Sequence, residues 1–245
     1  MYSRLRAFLI HFIGSILLVC LASALVFLIW HPAPLHQAVG ATNMFVIIMA
    51  VDVVLGPLMT LIVYKPDKKT LYFDMTIILL FQLAVFAYGV WTVAEGRPVW
   101  LVFNGDRFDL VRAYELDISR CDENDSKSFC TRSWLGPGWV AAKGPEDEEE
   151  RNKLIFESLF AGVDIPQRAD LYIPLEKEMS AMVRSARPLK ELNNYNPGSK
   201  VHEALKRWPN ADAYLPMMSP VKAVTVLINK DAGKVVAIVD LAPWE

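Results

Sequence analysis

The sequence predicts a membrane protein in which three transmembrane helices are followed by an α+β domain on the outer side of the membrane. Hydrophobic residues make up 53% of the 245-residue chain, and nearly all of the excess over a soluble protein lies before residue 97. The connections between the apolar stretches carry basic residues on one side only, and the rest of the chain mixes helical and β-branched patterns. We therefore expect a transmembrane region over residues 1–96 and a folded outer domain over residues 97–245.

Three apolar windows define the expected helices, at residues 7–30, 44–64 and 71–94. They contain 24, 21 and 24 residues, and at about 1.5 Å per residue each is long enough to cross a hydrocarbon core of about 30 Å. Long core helices of a soluble protein would carry a polar stripe at helical spacing, which these windows lack. The first window also continues as LVFLIW beyond Ala24, and this run is too long for a cleaved signal peptide.

The basic residues orient these helices. Arg4 and Arg6 precede the first helix, the loop at 31–43 contains neither Lys nor Arg, and the turn KPDKK at 65–69 joins the second and third helices. Because Lys and Arg accumulate on the cytoplasmic side of membrane proteins, we predict a cytoplasmic N-terminus and an external C-terminal domain. The aromatic residues agree with this orientation, with Trp30, Tyr88 and Trp91 at the outer surface and Tyr2, Tyr64 and Tyr72 at the inner one.

Charge and cysteines narrow the function of the outer domain. It contains 20 basic and 23 acidic residues without a basic patch, so we expect no nucleic-acid partner.

Cys121 and Cys130 bracket a polar loop, and in an oxidising compartment such a pair is expected to form a disulfide. A metal or redox pair is the competing interpretation, although the spacing is not CxxC and no histidine is nearby. Cys20, inside the first window, is expected to act as a small apolar residue.

Local patterns predict the first elements of the outer domain. Residues 99–103 read as a strand that ends in the turn Asn104-Gly105, whereas the segment after it fits either a second strand or a short helix. A helix is expected over 146–162, with Pro145 at its first position. Its acidic run EDEEE compensates the helix dipole or, alternatively, docks a basic partner.

The C-terminal third predicts short helices and a hairpin. Residues 175–208 look helical in two or three pieces, broken by Pro188 and by the turn NNYNPG. The runs VKAVTVLIN and KVVAIVDL flank a Gly-containing turn and predict a β-hairpin over 221–241. Because both faces of these strands are apolar, we expect both strands to be central in a sheet and covered by helices, which gives an α+β domain.

Catalytic motifs are absent from the sequence. The single histidine of the outer domain, His202, lies on a helical pattern where a solvated side chain is more usual than a general base. The chain has no GxSxG, P-loop, HExxH or GxGxxG pattern, and its carboxylates form no convincing acid and base pair. We therefore expect no enzymatic activity, no cofactor and no metal.

Polar residues inside the apolar windows are more informative. Ionisable groups cost roughly 2.5 to 3.5 kcal/mol in lipid on insertion scales, so they usually face protein or water. Counted from the basic flanks, His11 and Asp74 share a depth near the inner surface, and Asp52 and Gln82 share a deeper one. We predict a pair between His11 and Asp74 and a contact between Asp52 and Gln82.

Asp52 lies in the stretch MAVDVVLGPLMT. Gly56 leaves room there for a neighbouring helix, and Pro57 removes a main-chain hydrogen bond and should bend the helix. Three roles fit Asp52: glue between the protein's own helices, a docking site for a partner helix, or a proton relay. The sequence has neither an inverted repeat nor a chain of charged residues through the membrane, which disfavours a transporter.

Three segments carry a family resemblance: RAFLIH at 6–11, VDVVLGPLMTLIVYKPDKKTLYFDM at 51–75, and AYGVWTVAEGRPVWLVFNGDRFDLVRA at 87–113. Together with the closing VDLAPW, they resemble the type IV pilin accessory proteins of the TfpX/TfpZ group over the whole chain. The resemblance implies a multi-pass inner-membrane protein of a piliated Gram-negative bacterium, with a periplasmic outer domain. It also implies assistance to pilin stability or to pilus assembly and dynamics, without catalytic residues.

The expected partners follow from this resemblance. Pilin has one apolar helix and an external globular head, so a chaperone-like accessory protein would bind the helix within the lipid bilayer and the head in the periplasm, alongside other pilus assembly proteins. A membrane-anchored sensor with a ligand-binding periplasmic domain is the alternative, although the sequence shows no cytoplasmic output module. A glycan-modifying enzyme that acts on pilin is a third class, which the missing motifs disfavour.

Overall fold

The computed structural model describes residues 2–121, 129–144 and 162–245, together with positions 147, 149, 152, 154 and 156. A helical N-terminal region with three long apolar helices is followed by a curled β-sheet. The helix expected over 146–162 lies, apart from single positions, outside the described residues.

The three long helices agree with the apolar windows to within a few residues. Helix α1 (Tyr2–Ala24) continues as a π-helical turn (Leu25–Trp30), α3 spans Ala41–Val63 and α4 spans Leu71–Glu95. Each is long and apolar enough to cross a membrane. Between the first two lies a single helical turn, α2 (Leu35–Ala38), in the loop that the sequence left unassigned.

Helix α3 packs against both α1 and α4. Near the end of the helices that adjoins the sheet, all three share an apolar cluster in which Val26, Phe45 and Val93 are buried. Toward the other end, the first turns of α1 and α4 enclose an open cavity instead of packing together. The three helices are therefore closed at one end and open at the other.

The described residues after α4 form one curled sheet of eight strands in the order β4-β3-β1-β2-β6-β7-β8, with β5 beside β6. Neighbouring strands are antiparallel except for β1 with β3 and β2 with β6. The strands are β1 (Pro98–Asn104), β2 (Arg107–Arg112), β3 (Gly138–Ala142), β4 (Tyr172–Pro174), β5 (Arg187–Pro188), β6 (Ala213–Met218), β7 (Val224–Asn229) and β8 (Lys234–Val239).

The loop between the first two long helices forms part of the core of the sheet. Leu35 and Ala38 are 1% and 0% exposed, and they pack with buried side chains of β1, β2, β6 and β7. The Ala38 carbonyl also accepts hydrogen bonds from the main-chain N–H groups of Val221, at 3.0 Å, and Lys222, at 3.3 Å. Helix α2 therefore fixes the long helices to the sheet.

The predicted hairpin forms, but its two strands differ in burial. Strand β7 is interior, and helices cover both of its faces: α5 (Met179–Ser185) packs with α2 against Val226, and α6 (Gly198–Arg207) packs near Leu227. Strand β8 is the last strand in the sheet order, so the prediction that it is central is wrong. Most of its apolar residues are half-buried, because among the described strands only β7 pairs with it.

The other local predictions hold. The strand predicted at 99–103 lies within β1, and the segment after the Asn104-Gly105 turn continues as β2. Helices α5 and α6, two short 3-10 segments and strand β5 lie within 175–208. The helical segments are interrupted at Pro188 and at Pro197 in the NNYNPG turn, as the sequence predicts, because proline has no N–H to donate to a helical hydrogen bond.

Candidate functional site

A hydrogen-bond network centred on Gln82 joins the three long helices. The Gln82 Oε1 atom lies 2.6 Å from His11 Nε2, and its Nε2 donates to Ser15 Oγ at 3.0 Å and to the Asp52 main-chain carbonyl at 3.1 Å. On its other side, His11 Nδ1 lies 2.6 Å from Thr60 Oγ1. A neutral imidazole protonated on Nε2 satisfies both of its contacts, because it donates to the amide oxygen and accepts from the hydroxyl.

Gly56 makes this network sterically feasible. A Cβ atom at this position would overlap the Gln82 carboxamide, so only glycine lets that side chain lie against the main chain of α3. Pro57 follows inside the helix and removes the N–H that would bond to the Val53 carbonyl. The two residues therefore open the α3 surface where Gln82 reaches across from α4.

The predicted pair between His11 and Asp74 is wrong. Asp74 lies in the first turn of α4 and binds Lys68 Nζ at 2.5 Å and the Thr70 hydroxyl at 3.2 Å. A carboxylate is favoured there by the helix N-terminus and by the basic turn beside it. His11 instead takes the uncharged partners Thr60 and Gln82, which lie deeper between the helices.

The predicted contact between Asp52 and Gln82 forms through the main-chain carbonyl of Asp52. The Asp52 side chain is only 3% exposed, and its Oδ2 atom has no hydrogen-bond partner among the described residues. It lines a cavity of about 300 Å³ between α3 and α4 whose other walls are mostly apolar. An unpaired buried carboxyl oxygen is energetically unfavourable, so this position can accept a hydrogen bond from an additional group.

A larger cavity of about 1,050 Å³ opens between the first half of α1 and α4, with α3 as its floor. Ile10, Gly14 and Leu79 contribute apolar surface, and the Gln82 network closes its deeper end. We call this cavity the inner groove. It is mostly apolar, with hydrogen-bonding groups at its deeper end.

A second polar centre lies where α4 leaves the helical region. Arg97 is 1% exposed, and its guanidinium donates to the carbonyls of Ala94 at 2.5 Å, Ser133 at 3.0 Å and Arg132 at 3.5 Å. It also stacks 3.8 Å from the ring centre of Trp134. Burial lowers the pKa of Arg97 from its usual value, and the nearby carboxylate of Glu95 opposes that shift.

His31 lies beside this junction and is 1% exposed. Burial lowers the pKa of its imidazole to about 4, although hydrogen bonds with the main chain of Val26 and Gly96 oppose the change.

Elsewhere in the sheet region, Cys121 and Cys130 form a disulfide with a Cα–Cα distance of 6.1 Å, as their spacing predicts.

Comparison with known proteins identifies the family. The family model described as fimbrial assembly protein FimB matches residues 1–40. The fimbrial assembly protein of serogroup I from Dichelobacter nodosus is 30% identical over 182 residues, which cover 74% of this chain and 70% of that protein. This chain belongs to the fimbrial assembly protein family. The serogroup E1 protein of the same organism matches with the same identity and coverage.

A third member of the fimbrial assembly protein family, from serogroups C1 and C2 of Dichelobacter nodosus, is 36% identical over 99 residues, covering 40% of this chain and 76% of that protein. No solved structure matches this chain. The family assignment therefore rests on sequence, and the geometry described above is what this chain adds to it.

Proposed function

We propose that this fimbrial assembly protein is an inner-membrane accessory protein for type IV pilin, of the TfpX/TfpZ group, and that it binds the transmembrane helix of pilin in the inner groove. The observation that carries the proposal is the groove itself, an open, mostly apolar surface between α1 and α4 that ends at a hydrogen-bonded polar centre. Family membership supplies the fimbrial context.

The chemistry of the site supports a protein occupant. Hydrogen-bonding groups in lipid find few competing partners, so the polar end of the groove favours a helix that brings its own hydrogen-bonding group. Asp52 lies outside the groove, and its unpaired oxygen offers a separate acceptor beside the cavity between α3 and α4. Gly14 has open space around it, which allows a neighbouring helix to approach α1 closely. The bound pilin would be held in the membrane, and its head would meet the sheet domain.

The orientation is part of the proposal. The basic residues Arg4 and Arg6 and the KPDKK turn support an orientation with the open end of the helices at the cytoplasm and the sheet in the periplasm. The disulfide between Cys121 and Cys130 accords with an oxidising compartment. A C-terminal alkaline phosphatase fusion should be active, and a fusion after Lys69 should be inactive. Activity of the second fusion alone would reverse the orientation.

Photo-crosslinking tests the groove directly. Leu79 lines it and is 50% exposed, whereas the neighbouring Leu80 is 62% exposed and points away from it. A photoreactive amino acid at Leu79 should capture pilin in intact cells, and the same group at Leu80 should capture mainly lipid. The two positions differ in depth by only about 1.5 Å, so depth cannot explain a difference.

Equal capture of pilin at Leu79 and Leu80, or none at Leu79, would contradict docking in the inner groove. Copurification from membranes with and without pilin then distinguishes a protein that stabilises pilin from one that acts later in pilus assembly. If pilin levels are unchanged without this protein while pilus number falls, the protein acts in assembly or dynamics.

A further inference from the structure

The most exposed aliphatic side chains of the sheet region lie at the end that meets the membrane helices. Among the large aliphatic residues described after Arg97, Leu135 and Val221 are the most exposed, at 88% and 67%. Each sits beside the terminus of a long helix. A soluble domain usually exposes such groups singly and without preference, so their position at one end requires a reason.

Leu135 belongs to a loop that is fixed against the end of α1. The Cβ position of Gly136 lies 3.0 Å from the Ile29 carbonyl, and the rings of Trp134 and Trp30 lie 6.0 Å apart. Gly136 has a φ of +98°, which a residue with a side chain rarely adopts. With Arg97 bound to the Ser133 carbonyl, the loop is held at the level where α1 and α4 end.

Val221 and Tyr114 hold equivalent places at the other helix ends. The Val221 side chain lies 3.1 Å from the Cβ position of Gly40, the residue before α3, and its N–H bonds to the Ala38 carbonyl. The Tyr114 N–H donates to the carbonyl of Glu95, the last residue of α4, at 3.1 Å, and Tyr114 is 52% exposed. An apolar rim therefore surrounds the point where the three helices meet the sheet.

We infer that this rim is a lipid-binding surface on which the sheet domain rests in the outer interfacial layer of the bilayer. It consists of Tyr114, Trp134, Leu135 and Val221. Each long helix is long enough to cross a hydrocarbon core of about 30 Å, so its ends fall at or beyond the edge of that core, where side chains meet phospholipid headgroups and the first carbons of the acyl chains. Trp and Tyr are enriched at that depth because their rings combine apolar surface with a polar group.

The far end of the sheet provides the control. Strand β1 begins beside α4 and runs seven residues to the polar turn that contains the exposed Asp106. At about 3.3 Å per residue, that turn lies up to about 23 Å from the helix end. Cysteine substitutions of Leu135, Val221 and Asp106, in the full chain with Cys20→Ala, leave the disulfide intact and allow an NBD fluorophore at each site.

The labelled proteins are placed in nanodiscs of phosphatidylethanolamine and phosphatidylglycerol. Quenching by lipid with a nitroxide near its headgroup should be at least threefold stronger at Leu135 and Val221 than at Asp106, and quenching by aqueous iodide should show the reverse order. Equal iodide quenching at all three sites would overturn the inference. Protection of Leu135 from both quenchers would also overturn it, because a second copy of the chain would then cover the rim. Neither readout depends on pilin.

Discussion

Two buried polar centres organise this molecule, and they differ in how completely the protein satisfies them. Where α4 meets the sheet, the Arg97 guanidinium binds three main-chain carbonyls and stacks on Trp134. Between the helices, Gln82 is also fully engaged, but the neighbouring Asp52 carboxyl keeps one oxygen without a partner among the described residues.

The difference separates a scaffold from an interaction site. Arg97 finds its partners within the chain, because each of its three side-chain nitrogens donates to a main-chain carbonyl and its guanidinium stacks on Trp134. The Asp52 region combines an unpaired oxygen with cavities on both sides of the contact between α3 and α4. Changes at the junction should therefore destabilise the protein, whereas changes at Asp52 should impair function at nearly constant stability.

The largest expected effect is the loss of Arg97. Arg97→Ala removes the donor from three carbonyls and the cation from Trp134, and hydrogen bonds to charged groups contribute about 1.5 to 3 kcal/mol each. Because not every one of these bonds is well aligned, the loss should be smaller than their sum. We expect the free energy of unfolding to fall by about 3 to 5 kcal/mol. Steady-state protein level in membranes and thermal unfolding of the purified chain both measure this.

Arg97→Lys is the matched control for charge. Lysine keeps the cation but not the planar guanidinium that reaches several carbonyls at once. The stability of the Arg97→Lys protein should therefore lie between those of wild type and Arg97→Ala. If the Arg97→Ala protein unfolded at the same temperature as wild type, Arg97 would not stabilise the junction between α4 and the sheet.

The second effect is a loss of stability in acid, caused by His31. Burial lowers the pKa of this imidazole from 6.5 to about 4, so the unfolded chain binds a proton more readily than the folded one between these values. Stability is therefore fully present above pH 6.5 and falls as pH decreases toward 4. The loss between pH 7 and pH 5 should be about 2 kcal/mol.

Thermal unfolding of wild type and His31→Gln at both pH values tests this effect. The variant should be less stable at pH 7 but lose less on acidification, because glutamine does not titrate. An equal loss in the two proteins would assign the acid sensitivity to other groups.

The third effect concerns the fit of Gln82 against α3. Gly56→Ala introduces a Cβ that overlaps the Gln82 carboxamide, and moving that side chain breaks its bonds to Ser15 and to the Asp52 carbonyl. We expect a loss of about 1 to 3 kcal/mol, which is typical of overpacking.

Gly14→Ala is the matched control, since no atom of the described residues lies within 4 Å of a Cβ at that position. It should leave stability within about 0.5 kcal/mol of wild type. Equal destabilisation by the two substitutions would mean that glycine matters for helix flexibility in both places, not for the Gln82 contact.

The smallest expected effect on stability, and the most informative for function, is at Asp52. Leucine would fit the cavity of about 300 Å³ beside Asp52 and would remove an unpaired polar atom, so Asp52→Leu should change stability by less than about 1 kcal/mol. Pilus output should nevertheless fall, whereas Asp52→Asn should be tolerated because it keeps an oxygen that accepts hydrogen bonds.

Immunoblots of membranes and counts of surface pili measure the two quantities separately. If the Asp52→Leu protein disappears from membranes, Asp52 has a structural role between the protein's own helices. If both the protein level and the number of pili stay normal, Asp52 takes no part in pilus formation.

The sequence predicts the features that depend on local pattern. Apolar length locates the three helices, the proline positions locate the breaks between α5 and α6, and the cysteine spacing predicts the disulfide. Depth alone pairs residues less well, because it ignores rotation about the helix axis. His11 and Asp74 share a depth but face different neighbours. Ser15 follows His11 by four residues and therefore lies on the same face of α1. Thr60 follows Gly56 by four residues on α3, so this spacing could have identified both members of the network.

Long-range features leave almost no local signal. Nothing in the segment around Leu35 indicates that it enters the sheet, because its partners lie about 65 to 190 residues later in the chain. The burial of Arg97 is equally hidden, since two of the three carbonyls that it binds come from a loop with no regular pattern. The edge position of β8 depends on strand order, which alternating apolar residues do not specify.

The insertion of α2 into the sheet has a consequence for how the protein can be divided. A fragment that starts at Arg97 would lack Leu35 and Ala38, and an apolar hollow would remain where they pack between the strands. Secreting the globular half alone would therefore yield a frayed, aggregation-prone product, unless the peptide 31–40 were grafted back onto it. We therefore expect the sheet to need residues 31–40 in order to fold, although they precede it by more than fifty positions.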